Sequence, residues 1–186
     1  MKRNTTLVTW LESALMGALA FVLALIPLGV GFYEIELGMI PIMILAYRRG
    51  IKAGLVSGFI WGILKVLSGN IFVLTPLQVF LEYLFAFALS GLAGAGARPL
   101  RNYIQKNNRP KINLTIIWSV LLAVFSKYFV HFVAGVIFWS SYAPEEMSPV
   151  IYSLVVNGSA FIMTSLANTL ILLLFINVNP SLIKRQ

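Results

Sequence analysis

Long apolar runs decide which folds are open to this chain. The stretches Ile116 to Phe125 and Ile162 to Ile176 carry no charged residue, and similar runs recur along the 186 residues, of which 59% are hydrophobic and 11% charged. That pattern is the signature of a polytopic membrane protein. In hydrocarbon every backbone polar group must find its partner within the chain, so the spans are expected to be helices. The net charge of +8 is no footprint of nucleic acid, because the basic residues lie in short clusters between apolar runs, as membrane topology requires. With no Cys and a single His, disulfides, thiolate chemistry and a metal site are not expected. Lys2 and Arg3 resemble the start of a signal peptide, but the run from Leu7 to Ile26 is too long for one and reads as a retained first span.

Proline, glycine and charge divide the chain into six spans within one integral-membrane domain, 1–186: about 7–27, 37–47, 53–67, 76–97, 114–139 and 149–176. Residues 28–36 form a Gly-rich loop. The second span is only about 16 Å long, short of a ~30 Å hydrocarbon core, and is expected to be a short or partly re-entrant helix buried against its neighbours. Thr75, Pro76 and Gln78 read as a capping box at the start of the fourth span, and Ser148 with Pro149 as the cap of the sixth. Between the fourth and fifth spans, residues 98–111 are expected to be a polar loop with its five basic residues. Lys and Arg cluster at the N-terminus, at 48–52, at 98–111 and in the tail, whereas the intervening loops carry only Glu34, Glu36, Glu145 and Glu146. The positive-inside rule then puts both termini in the cytoplasm of a multi-pass cell-membrane protein.

Helical rise gives the depth of the polar residues. Glu82 lies roughly 10 Å below the outer end of span four, and His131 and Asn157 roughly 12 Å below the outer ends of spans five and six. A carboxylate, an imidazole and an amide thus share one outer layer, with Tyr83, Trp139 and Tyr152 beside or above them. The plain use of such groups is a polar network that ties helices together; at matched depth they fit a ligand pocket in the outer half better, since ionisable residues in a bilayer usually face a cavity. Lys127, one turn below His131, is expected to neutralise Glu82, and Lys65 to snorkel to an interface. Gly50, Gly54, Gly58 and Gly62, at every fourth residue, suit close helix packing; Ala14 and Ala18 suit either packing or a partner. No phosphate-binding loop, HExxH or GxSxG is present, and Asp is absent altogether, which argues against an intramembrane enzyme. A stand-alone secondary transporter of a cationic metabolite, with Glu82, Lys127 and His131 as a proton relay, is the alternative.

The runs ALMGALAF, YRRGIKAGLVSGFIWGIL, FLEYL, KYFVHFVAGVIFWSSYA and YSLVVNG are together similar to the thiamine-specific S-component of energy-coupling factor transporters, over nearly all six spans. The resemblance implies a non-enzymatic six-helix bundle that captures thiamine outside and delivers it by docking on a coupling protein and two ATPases, with no cofactor of its own. It implies that Glu82, Tyr152 and Asn157 bind the aminopyrimidine, with Trp139 stacked against it, His131 flanking the thiazolium and Tyr83 helping with the hydroxyethyl end. Phe32 or Tyr33 stands where a tryptophan lid is expected in a loop one residue shorter, and Phe72 where a tyrosine is expected. Ala14 and Ala18 match the docking motif.

Overall fold

The computed structural model describes residues 5–30 and 33–184, and most of these are helical. Helix α1 (Thr5–Leu23) is followed by a minimal antiparallel ladder of β1 (Gly29–Val30) and β2 (Tyr33–Glu34). Then come α2 (Met39–Arg49), α3 (Ile51–Leu67), a continuous helix α4 (Pro76–Gln105), α5 (Arg109–Phe138) and α6 (Pro149–Val178). Short 3-10 turns follow α5 and α6. The fold class is all-α, and α1, α4, α5 and α6 are each long and apolar enough to cross a membrane.

Helix starts follow their caps. The Ser148 hydroxyl accepts from the Ile151 amide at 3.3 Å, ahead of Pro149, and Asn108 does the same for Lys111 at 3.2 Å. Thr75 accepts from the Gln78 amide at 3.1 Å, but the expected return bond of a capping box is not made. Gln78 instead turns its side chain inward.

Helix α2, only 11 residues long, lies inside the bundle with Met39, Ile42, Met43, Leu45, Ala46 and Tyr47 fully buried. The Tyr47 hydroxyl meets Ser119 of α5 at 2.8 Å, which satisfies a polar group that burial would otherwise penalise. Helix α3 is the hub for backbone approach. A Cβ on Gly54 would sit 2.8 Å from the Cα of Gly91, and one on Gly17 would sit 2.8 Å from the Ser57 carbonyl. Gly54, Gly58 and Gly62 therefore serve packing within the bundle, whereas Gly50, with open space at its missing Cβ, sits at φ 95° where α2 turns into α3. The Ser57 hydroxyl adds a buried bond to the Ser13 carbonyl at 2.8 Å.

Helix α4 changes its winding twice. It loosens to a π-helical turn over Phe80–Phe85 and tightens to 3-10 over Leu89–Gly96. Its last part, Ala97–Gln105, carries the helix past 97 into residues expected to be loop. Leu100 and Ala97 are buried there, and Arg101 donates to the Tyr47 carbonyl at the end of α2 at 2.6 Å. Burial of one apolar face and an arginine cap on a neighbouring helix end outweigh the local polarity. The chain then reverses through Asn107 at φ 50°, a left-handed geometry that Asn tolerates. Large apolar side chains such as Leu15, Leu114, Leu166, Leu170 and Leu174 point outward, as a lipid-facing surface requires.

Candidate functional site

The ends of α3, α5 and the starts of α4 and α6 surround a cavity of about 520 Å³. The basic turn at Arg48, Arg49 and Lys52 lies at the other end of α3, so the cavity and the basic clusters occupy opposite ends of the bundle. The π-helical turn of α4 carries Glu82 and Tyr83 into the wall. Its carbonyl at Tyr83 lies directly over Gly62 of α3, where any Cβ would collide. Such wide turns recur at functional sites.

Glu82 is 7% exposed. The indole Nε1 of Trp139, at the C-terminal cap of α5, donates to both its oxygens at 3.1 and 3.2 Å, and Gln78 Nε2 donates to Oε2. His131 Nδ1 stands 3.9 Å from Oε1. Trp139 is wedged between Phe72, ring centroids 5.8 Å apart, and Tyr142, 5.1 Å. On α6, Asn157 Nδ2 donates to the Ser153 carbonyl at 3.1 Å and hydroxyl at 3.2 Å, while Ser153 itself bonds across to the Phe132 carbonyl. Gly135 opposite leaves the space for this crossing. Tyr152 and Asn157 both line the cavity although five residues separate them, with Tyr152 reaching in from the first turn of α6.

Glu82, Tyr83, His131, Trp139, Tyr152 and Asn157 therefore meet in one cavity. Lys127 does not pair with Glu82. Its ammonium binds the carboxylate of Glu36, and both are largely buried, at 1% and 15% side-chain exposure. The rings of Phe87, Tyr128 and Trp61 surround it at 4.2, 5.1 and 5.6 Å from their centroids. The reason is reach: Glu36 is anchored just before α2, where its amide bonds Thr164 at 3.3 Å and its carbonyl accepts from Asn168 at 3.1 Å. The carboxylate that Lys127 meets is thus Glu36, while Glu82 is held by Trp139 and Gln78. Lys65, expected to snorkel to an interface, lines the cavity. Phe32 lies outside the described residues, as does the side chain of Tyr33.

Sequence reasoning missed Glu36, Lys65 and Phe87 in the cavity wall, and Gln78, which is buried behind it and holds Glu82. One of these had a signal. Gln78 stands four residues before Glu82, hence on the same helix face. In chemical terms the cavity offers a fixed carboxylate, a carboxamide, an imidazole and several aromatic faces, a set that suits a flat, donor-bearing cation. Among the described residues no cluster of His, Cys, Asp and Glu is fit to hold a metal ion.

Comparison with known proteins agrees over almost the whole chain. Residues 10–184 match the family model described as "Thiamine transporter protein (Thia_YuaJ)". The chain is 36% identical over 187 residues to the thiamine transporter ThiT of Lacticaseibacillus paracasei, covering 98% of this chain and 93% of that one. It is 29% identical over 191 residues to the thiamine transporter ThiT of Bacillus subtilis, covering 99% and 98%. The solved structure of ThiT from Listeria monocytogenes matches with a TM-score of 0.93 at 34% identity, covering 97% of this chain and 100% of that one.

Proposed function

We propose, from the premise that this chain belongs to the thiamine transporter protein family and is therefore a multi-pass membrane transport component rather than an enzyme, that it is a high-affinity thiamine-capture subunit. The observation that carries this reading is the buried carboxylate of Glu82, held by Trp139 and Gln78 inside an aromatic-walled cavity. A carboxylate and the amide of Asn157 satisfy the donor and acceptor edge of an aminopyrimidine, with the Tyr152 hydroxyl as a third partner. Trp139 supplies a stacking face. His131 and the neighbouring rings flank the permanent thiazolium charge, an attraction of up to ~2 kcal/mol in a dry site. Tyr83 serves the hydroxyethyl end, and the role of aromatic lid from the first outer loop falls to Phe32 or Tyr33.

The cavity faces outward in this reading, because the basic clusters lie at the opposite end and belong in the cytoplasm. Having no nucleotide-binding loop, the chain draws its energy from elsewhere, by docking on an energy-coupling factor coupling protein and two ATPases. Ala14 and Ala18 are exposed on α1, while Ser13, Gly17 and Ala20 bury against the bundle. That leaves the alanine pair free for docking.

Titration of the purified protein in detergent with thiamine, followed by tryptophan fluorescence, is expected to give saturable nanomolar quenching without partners or an ion gradient. Glu82→Ala should weaken binding by roughly 100-fold, through the lost ligand bond and the stranded Trp139 and Gln78 donors. A folded Glu82→Ala protein with unchanged affinity would refute the site, and a folded wild type blind to thiamine would refute the ligand.

A further inference from the structure

The loop after α3, residues 69–75, contributes Asn70, Ile71 and Phe72 to the cavity wall, and one buried side chain ties it to Glu82. Gln78 is fully buried, and its amide is engaged on both sides. Nε2 donates to Glu82 Oε2 and to the Phe72 carbonyl at 3.3 Å, while Oε1 accepts from the Leu74 amide at 3.2 Å. The amide cannot turn over. Reversed, its oxygen would confront a carboxylate and a carbonyl, and its NH2 would confront the Leu74 N–H. Phe72 sets its ring edge-on against Trp139, and Trp139 donates back to Glu82. The contacts form a closed circuit of Glu82, Gln78, Phe72 and Trp139. A second tie runs from the Phe72 amide to the Tyr83 hydroxyl at 3.1 Å.

We propose that Gln78 is a positioning residue that couples the engagement of Glu82 to the order of the loop 69–75, so that a ligand held by Glu82 and Trp139 tightens the loop beside it. The inference rests on the reading of this cavity as the thiamine site. A ligand bonded to Glu82 meets a carboxylate whose second oxygen Gln78 already holds. Any settling of that carboxylate passes through the amide to the backbone at Phe72 and Leu74. By linkage, an ordered loop holds Glu82 ready for the ligand to the same degree.

Hydrogen exchange of the loop amides and thiamine titration test this on the wild type, Gln78→Met and Thr75→Ala. The last weakens the same loop at its helix cap without touching Glu82. In the wild type, bound thiamine should slow exchange over residues 70–75. In Gln78→Met, Leu74 should exchange faster without ligand, and affinity should fall about tenfold for the lost bond to a buried carboxylate. Bound thiamine should then no longer slow the loop. Thr75→Ala should also loosen the loop yet keep its affinity within about twofold and retain the ligand-induced slowing, since the bonds to Glu82 remain. Should Gln78→Met fail to fold, Gln78→Asn, one methylene too short to reach Glu82 and the loop together, is expected to uncouple in the same way.

A Gln78 variant whose loop still slows on binding overturns the proposal, as does a Thr75→Ala protein that loses as much affinity. A wild type that does not bind thiamine overturns the site reading and the ligand coupling with it. The hold of Gln78 on the loop is then judged separately, by whether Leu74 exchange without ligand differs between the wild type and Gln78→Met; no difference overturns that hold.

Discussion

Lys127 is a full charge near the middle of an apolar helix, and its surroundings show what the fold does with such a group. A lone ammonium in this setting carries a large desolvation cost, which Glu36 and three aromatic rings offset. Removing one partner strands the other. Lys127→Met should therefore destabilise the protein by roughly 3 to 5 kcal/mol, lowering the Tm in detergent by about 10 °C. The double variant Lys127→Met with Glu36→Gln should recover much of that loss, and a double variant no more stable than the single would refute the pairing. The charge at position 127 was legible in the sequence and its need for a carboxylate followed. Which carboxylate was not legible, because Glu36 lies 91 residues away and nearness in depth to Glu82 pointed elsewhere. The depth argument did gather Glu82, His131 and Asn157, since rise per residue is a local property.

Helices α3 and α4 touch backbone to backbone, and the irregular winding of α4 accompanies that contact. Gly54 and Gly91 approach with no room for a side chain, so Gly54→Val should overpack the crossing and cost about 1 to 3 kcal/mol. Gly158 of α6 has nothing within 4 Å of its missing Cβ, and Gly158→Ala should leave stability equal or raise it by up to ~1 kcal/mol through helix propensity. Thermal unfolding of the two variants, with opposite expected signs, checks the assignment; equal effects would contradict it. The fourfold glycine spacing announced the contact at the level of sequence. The π-helical and 3-10 turns it faces were not read from the sequence. The continuation of α4 to Gln105 was missed because polar composition reads as loop until Leu100 finds the core and Arg101 finds the end of α2.

The molecule as a whole presents an apolar girdle to lipid, a polar cavity at one end and basic turns at the other. Helix α1 lies at the edge and buries little of itself, with Ala14 and Ala18 on its exposed side. Ala14→Leu with Ala18→Leu should leave thiamine affinity within about twofold, since neither residue lines the cavity, while abolishing co-purification with the coupling protein and uptake. Retained uptake would refute the docking role proposed for this pair. Composition, rise per residue and capping within a few residues were enough to read the membrane class, the apolar runs, the helix starts at Thr75 and Ser148 and the layer in which the polar residues lie. The partner of Lys127, the inward turn of Gln78, the place of Lys65 in the cavity wall and the winding of α4 came only with the packing of the helices. Each of these is a choice among distant groups, made by which helices pack together and how closely their backbones approach.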